Sequence, residues 1–245
     1  MPFHELLDEA EQEERDDVKW KRSKLRARLL GFRNDLQQKG HLANTVKAYT
    51  SRVRTVYEEG FDIEIGRMPK INQKNVKKPH PISYNDLPDK ELLRHILKMV
   101  NPLMKAIILF MTSSGCAKRE TLNITVQDFI DATYDYHHKD NIEDVIEVLH
   151  GRDDVVPSWR LRCQKTNKYY TTFSSPESTM EIIHYLVISE RELESSSPLF
   201  NITSTHLNNT FGKINNKLGL GKAGAYNRFR SHMLRKFHAS QLYND

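Results

Sequence analysis

The chain has 245 residues, 38% hydrophobic and 28% charged, with 37 Lys plus Arg against 32 Asp plus Glu and a formal net charge of +5. At roughly 100–200 residues per domain this is room for one large domain or two small ones, and the chain is too apolar for a disordered tail. The longest strongly apolar run, Ala106–Met111, is too short for a membrane-spanning helix, and the acidic N-terminus is unlike a secretory signal, so the expected compartment is the cytoplasm.

Cys116 and Cys163 stand alone, without CxxC or CxxH spacing, so neither a disulfide framework nor a structural zinc site is expected. The charge is unevenly spread. Residues 1–17 hold eight acids and one base, a net of −7, which leaves +12 on the other 228 residues. The acidic segment reads as a tail, and the basic body points to a polyanionic partner.

In chain order, residues 18–39 read as a helix, with Val18, Leu25, Leu29, Phe32 and Leu36 at helical spacing and Lys21, Arg22, Lys24 and Arg28 on the other faces. A second helix starts at Asn44 as N-cap and carries Val46, Tyr49, Val53 and Val56. Residues 66–81, with three prolines and five Lys or Arg, read as a basic semi-extended linker. A helix follows from about Asp86 to Val100, then an apolar, buried one from Leu103 that stops at Ser113-Ser-Gly115. Trp159, Leu161 and Cys163 alternate with Arg160 and Arg162, and Thr166-Asn-Lys168 supplies a turn before Tyr169–Phe173, which together describe a β-hairpin. Ser175-Pro-Glu177 caps the next helix, Leu207, Phe211, Ile214 and Leu218 mark another, and a Gly-rich basic loop from Gly219 to Arg230 precedes a last helix at Ser231. His137-His138, beside Asp135 and Asp140, read as an exposed polar loop and not as a metal site.

Two residues of the last helix carry chemistry. His232 and Arg235 are three apart on one face of its first turn, where free backbone N–H groups and the helix dipole favour an anion. A phosphate there can take a hydrogen bond from the imidazole and a two-pronged one from the guanidinium.

The segment His232-Met-Leu-Arg-Lys-Phe-His-Ala-Ser240 resembles the second conserved box of the tyrosine recombinases, particularly integrases of archaea and their viruses. Ser113-Ser-Gly-Cys-Ala-Lys-Arg-Glu-Thr-Leu-Asn-Ile-Thr-Val-Gln-Asp128 is similar to their first box. Arg162-Cys-Gln-Lys165-Thr-Asn-Lys-Tyr-Tyr-Thr-Thr-Phe173 resembles the hairpin that presents their catalytic lysine, and Asn44-Thr-Val-Lys-Ala-Tyr49 a segment of their core-binding domain. Four segments in the family's order over residues 18–245 are far more specific than any one of them.

The resemblance implies a mainly α fold with a small antiparallel sheet: a helical, SAM-like core-binding domain at 18–65, the linker at 66–81, and a catalytic domain of the DNA breaking-rejoining type from 82 to 245. It implies strand exchange on double-stranded DNA through a phosphotyrosine, without metal or other cofactor, and self-association on the duplex. It casts Arg235 as phosphate clamp, His232 as transition-state hydrogen-bond donor or proton carrier, and Lys165, with Lys168 as the alternative, as general acid. The DNA contacts then fall to Lys21, Arg22, Lys24, Arg28, Asn44, Thr45, Lys47, Lys74, Lys77 and Lys78.

Two departures stand out. The family's first-box Arg falls on Ala117, leaving Lys118 or Arg119 for that role, and a lysine is a poor substitute for a planar bidentate clamp. The family's nucleophilic Tyr lies several helical turns beyond the second box, whereas here ten residues follow Arg235. Tyr243, on or just past the same helix, is too close to swing in line with a phosphate held by that helix's first turn. The expectation is a DNA-binding protein that is cleavage-deficient as the chain stands, either a recombinase lacking its C-terminal segment or a naturally short relative. An unrelated helical interaction protein is the alternative from another class.

Overall fold

The computed structural model describes residues 2–70, 81–163 and 165–244. It divides into two compact units, Met1–Pro79 and His80–Asp245, each with its own hydrophobic core.

The first unit holds three helices, α1 (Phe3–Arg15), α2 (Lys24–Gln38) and α3 (Ala43–Gly60). Ser23 caps α2 by accepting a hydrogen bond from the Arg26 N–H, so this helix begins at Lys24. The sequence-predicted start at Val18 is replaced by a single 3₁₀ turn, Trp20–Arg22. The N-cap of α3 is Leu42, and Asn44 lies inside the helix. The acidic segment read as a tail is α1. Its Ala10 is buried with Leu25, Leu29, Tyr57, Ile63 and Ile65, and Glu13 reaches the free N–H of Lys24 at 2.7 Å. That carboxylate supplies what the start of α2 lacks, an acceptor and a negative charge.

The start of the predicted linker lies against this unit. Trp20 donates its Nε1–H to the Arg67 carbonyl, and Arg33 donates to the Pro69 carbonyl at 2.7 Å. Gly66 is required at that crossing, because a Cβ there would come within 2.6 Å of the Trp20 ring.

In the second unit, α4 (Lys90–Met99) and α5 (Pro102–Ser114) are capped by Asp89 and Asn101. Helix α5 is the core element, with seven buried residues, and it packs against α9 (Pro176–Ile188) and α11 (Ser231–Asn244). Between them lie α6 (Lys118–Asn123), α7 (Val126–His137), α8 (Ile142–Leu149) and an antiparallel hairpin, β1 (Ser158–Cys163) with β2 (Lys168–Phe173), in which Leu161 faces Tyr170. The predicted alternation holds: Trp159 and Leu161 are buried, Arg160 and Arg162 exposed. Trp159 sets its ring edge-on to Phe110 and donates Nε1–H to Ser174 at 2.9 Å. Helix α10 (Ser204–Lys217) leads through a two-residue hairpin, β3 (Lys222–Ala223) with β4 (Tyr226–Asn227), into α11.

His137 is not on an exposed loop. It closes α7 and is 6% exposed, because Val126, Phe129, Ile130 and Thr133 share its inward face. Its Nδ1 accepts from the Lys139 N–H at 2.9 Å, which puts the ring proton on Nε2, near Thr133 Oγ1 and the Ile130 carbonyl. Burial pulls its pKa below the ordinary histidine value of 6.5. With the folded value depressed, the contribution of this ring to stability is whole above about pH 6.5 and lost as pH falls through the folded value. The fall in denaturation midpoint between pH 7 and 5 is therefore expected to be shallower in His137→Gln than in the wild type. Parallel curves would dismiss this role.

Among the described residues no helix is long and apolar enough to cross a membrane, and no group of three or more His, Cys, Asp or Glu is placed to hold a metal ion.

Candidate functional site

The residues of the two boxes meet where α5 turns into α6. Gly115 takes the left-handed conformation, φ +68°, that ends α5. Cys116 and Ala117 follow, and α6 starts at Lys118, with Glu120 folded back to accept the Ala117 N–H at 2.8 Å. Helix α11 lies against this turn because Met233, Leu234 and Phe237 are its buried face, and His238 sits over Gly115 with Nδ1 3.2 Å from the Thr112 carbonyl. That packing turns Arg235 toward Glu120.

The centre of the site is a carboxylate under a guanidinium. The Glu120 side chain is 7% exposed, and Arg235 Nη1 lies 3.6 Å from its Oε2. The same oxygen accepts the Tyr170 hydroxyl proton from β2 at 2.9 Å. Cys116 Sγ is 3.6 Å from that hydroxyl oxygen and, with the phenol proton given to Glu120, donates its S–H there. Burial, with the neighbouring thiol and carboxylate, pushes Tyr170 far above the usual phenol range, and burial raises Cys116 likewise, so both stay protonated donors. The Arg235 side chain is half exposed. One edge of its fork is held from below and the rest is open to an acceptor from outside.

His232 is exposed at the surface, and its pKa is lowered first by partial desolvation and then by the cations Arg230, Lys236 and Arg235. It is a neutral imidazole at pH 7 in a cationic surrounding, suited to hydrogen-bond an anion or take up a proton beside one. Arg230 was not anticipated from the sequence. Its guanidinium lies over the Tyr226 ring at 4.4 Å, its Nε is buried without a hydrogen-bond partner, and burial lowers its pKa. The signal was its place two residues before His232 in a loop already read as basic. Arg228, equally basic, is taken by the carbonyls of Asn85 and Asp86.

The other predicted residues are placed unequally. Lys118 donates Nζ–H to Asn208 of α10 at 3.1 Å. Arg119 is exposed and makes no hydrogen bond or ion pair among the described residues. Lys165 and Lys168 are both exposed, in the hairpin turn and at the start of β2. Tyr243 is 91% exposed, and the eight residues separating it from Arg235 on one helix amount to about 12 Å along the axis.

In the first unit, Glu9 of α1 holds both Lys24 (3.2 Å) and Arg28 (2.7 Å), so these two predicted DNA contacts are occupied by carboxylate. Lys21, Arg22, Asn44 and Lys47 are exposed and Thr45 half-buried. Lys74, Lys77 and Lys78 lie outside the described residues.

Neither protein-family models nor curated proteins match the sequence. Solved structures do match the fold. The XerH site-specific recombinase bound to palindromic difH substrate superposes with a TM-score of 0.56 at 16% identity, over 99% of this chain and 66% of that one. The Tn1549 transposon integrase in complex with transposon right end DNA gives 0.55 at 12% identity, over 94% and 74%. The same integrase with a circular intermediate DNA gives 0.52 at 12%, over 89% and 72%. The chain is therefore similar in fold to a site-specific recombinase and a transposon integrase, mainly helical with a small antiparallel sheet.

Proposed function

We propose that this chain is a duplex-DNA-binding protein of the tyrosine recombinase type, acting in DNA integration or site-specific recombination, and that α11 and the α5–α6 turn hold one backbone phosphate. The observation that carries this reading is the half-open Arg235 guanidinium anchored on the buried Glu120, with His232 in the same helical turn. The structures sharing this fold contain DNA, and the basic excess of residues 18–245 suits a polyanion.

In this reading Arg235 clamps the nonbridging oxygens, on which negative charge builds when a phosphodiester is attacked, and His232 donates a hydrogen bond to the same charge. Lys165, on an exposed hairpin, is the proton donor to a leaving oxygen. Of the first-box cations, Arg119 is free to turn to the phosphate, whereas Lys118 reaches it only by releasing Asn208. No tyrosine in residues 1–245 matches the nucleophile motif of the resembled family, and this reading gives Tyr243, about 12 Å along the helix from Arg235, no part in an in-line attack.

The test is duplex binding as a function of salt, with each neutralised phosphate contributing about 0.9 to the slope of log K against log salt. The wild type is expected to show a steep slope, and Arg235→Ala a slope lower by about one contact with a melting curve unchanged. Nicked duplexes should yield no covalent adduct. A flat wild-type slope would overturn the DNA reading, and an adduct on Tyr243 would overturn the assignment of that residue.

A further inference from the structure

Helix α1 carries six acids and one arginine over Phe3–Arg15, yet it is seated by apolar groups. Ala10 is buried with Leu25, Leu29 and Tyr57, and the Phe3 ring stands edge-on to Phe61 at 5.7 Å. That seat decides which acids face α2. Glu9 and Glu13, four apart and flanking Ala10, share one side of α1. Glu9 takes Lys24 Nζ at 3.2 Å and Arg28 Nε at 2.7 Å, themselves four apart on α2, and Glu13 takes the Lys24 backbone N–H at 2.7 Å. The other acids of the helix are placed differently. Glu11 pairs with Arg15 inside α1, and Glu5, Asp8 and Glu14 are exposed without an ion pair among the described residues.

A free first-turn N–H, an ammonium and a guanidinium are the donors that a polyanion seeks at the start of a helix. On α2 a carboxylate of the same chain fills each of them. The Glu9 side chain is 18% exposed, and the Arg28 guanidinium beside it holds its carboxyl below the ordinary value of 4.5, so it is ionised at neutral pH. Partly exposed ion pairs add little to stability, so the effect of these falls on the charge that α2 presents. One carboxylate on two cations leaves one positive charge where two stood. Lys21 and Arg22, just before α2, are exposed and make no ion pair among the described residues.

We propose that α1 is an autoinhibitory element: through Glu9 and Glu13 it takes the place of a polyanion on Lys24, Arg28 and the first turn of α2, and so holds down the affinity of the chain for duplex DNA. This rests on the duplex-binding reading above and adds a restraint to it.

Duplex binding by the full chain is measured across salt for the wild type, Glu9→Gln and Asp8→Asn. Glu9→Gln keeps the size of the side chain and removes its charge, and Asp8→Asn makes the same change of net charge one residue away, at a carboxylate without a partner. Glu9→Gln is expected to bind about tenfold more tightly at about 50 mM salt, with a slope steeper by up to two contacts and an advantage that closes as salt rises. Asp8→Asn should change affinity by about twofold or less, because an unpaired exposed charge acts only through screening solvent. In a Lys24→Gln/Arg28→Gln background Glu9→Gln should bring no further gain. Equal gains in Glu9→Gln and Asp8→Asn, or a gain that survives the loss of both cations, would mean that net charge acts and would overturn the masking. Wild-type affinity and slope in Glu9→Gln would overturn it as well, and each of these results leaves duplex binding standing. Binding that does not depend on salt in any of the proteins would sink both readings.

Discussion

Gly115→Ala is expected to destabilise the second unit by about 3 kcal/mol, from two independent causes. The residue sits at φ +68°, where any side chain meets the following backbone at a cost of roughly 1–2 kcal/mol. A Cβ there would also stand 2.4 Å from His238 Cδ2, and overpacking of this kind costs about 1–3 kcal/mol more. The His238 ring cannot simply step aside, because its Nδ1 is tied to the Thr112 carbonyl and its helix is anchored by Met233, Leu234 and Phe237. Something must move, either the ring out of its seat or α11 off the α5–α6 turn. The second movement would part Arg235 from Glu120, so duplex affinity should fall together with stability. Chemical denaturation of the single variant and of Gly115→Ala/His238→Ala divides the two causes. The double variant should regain the steric part and keep the backbone part, about 1 kcal/mol. A single variant that costs only the backbone part, about 1 kcal/mol, and no more than the double variant would show that the turn and α11 are not in close contact.

This contact illustrates what a sequence shows and what it hides. The turn at Gly115 was legible because a long apolar run ended in Ser-Ser-Gly, and the hairpin because Trp159 and Leu161 alternate with arginines. Both signals are local periodicities or punctuation. Helix α7 was equally legible in principle, since residues 126, 129, 130, 133 and 137 mark one helical face, but the acids and adjacent histidines at its end, Asp135 to Asp140, looked like a polar loop. Helix α1 was not legible from its own residues. Its buried Ala10 is covered by Leu25, Leu29 and Tyr57 from other helices, and its acids find their partners in Lys24 and Arg28. The site followed the same division. His232 and Arg235 could be found from a three-residue spacing, whereas the turn of Lys118 toward Asn208, 90 residues away, depends on how α6 meets α10. The role of Tyr170 depends likewise on the register that sets it opposite Leu161.

That register makes Glu120 the position from which the largest change at the site is expected. Glu120→Ala removes the oxygen that accepts hydrogen bonds from the Ala117 N–H and the Tyr170 hydroxyl and that forms the ion pair with the Arg235 guanidinium. The first two are part-buried, and each donor left without an acceptor costs about 1–3 kcal/mol. Arg235 is half exposed and recovers most of its loss in water, so the ion pair itself adds little. The expected loss of stability is therefore about 2–6 kcal/mol, measured by denaturant midpoint. Glu120→Gln keeps an acceptor while losing the charge, and should cost about 1 kcal/mol. Tyr170→Phe separates the terms. Alone it removes the hydroxyl's hydrogen bond and is destabilising, whereas in the Glu120→Ala background it removes an orphaned donor and should be neutral or stabilising. Duplex binding adds a readout that folding does not: with Arg235 unanchored, Glu120→Gln should lower the salt slope as Arg235→Ala does, and the double variant should lower it no further. Additive slopes in that double variant would mean that Glu120 supports the fold alone and that Arg235 is aimed by something else.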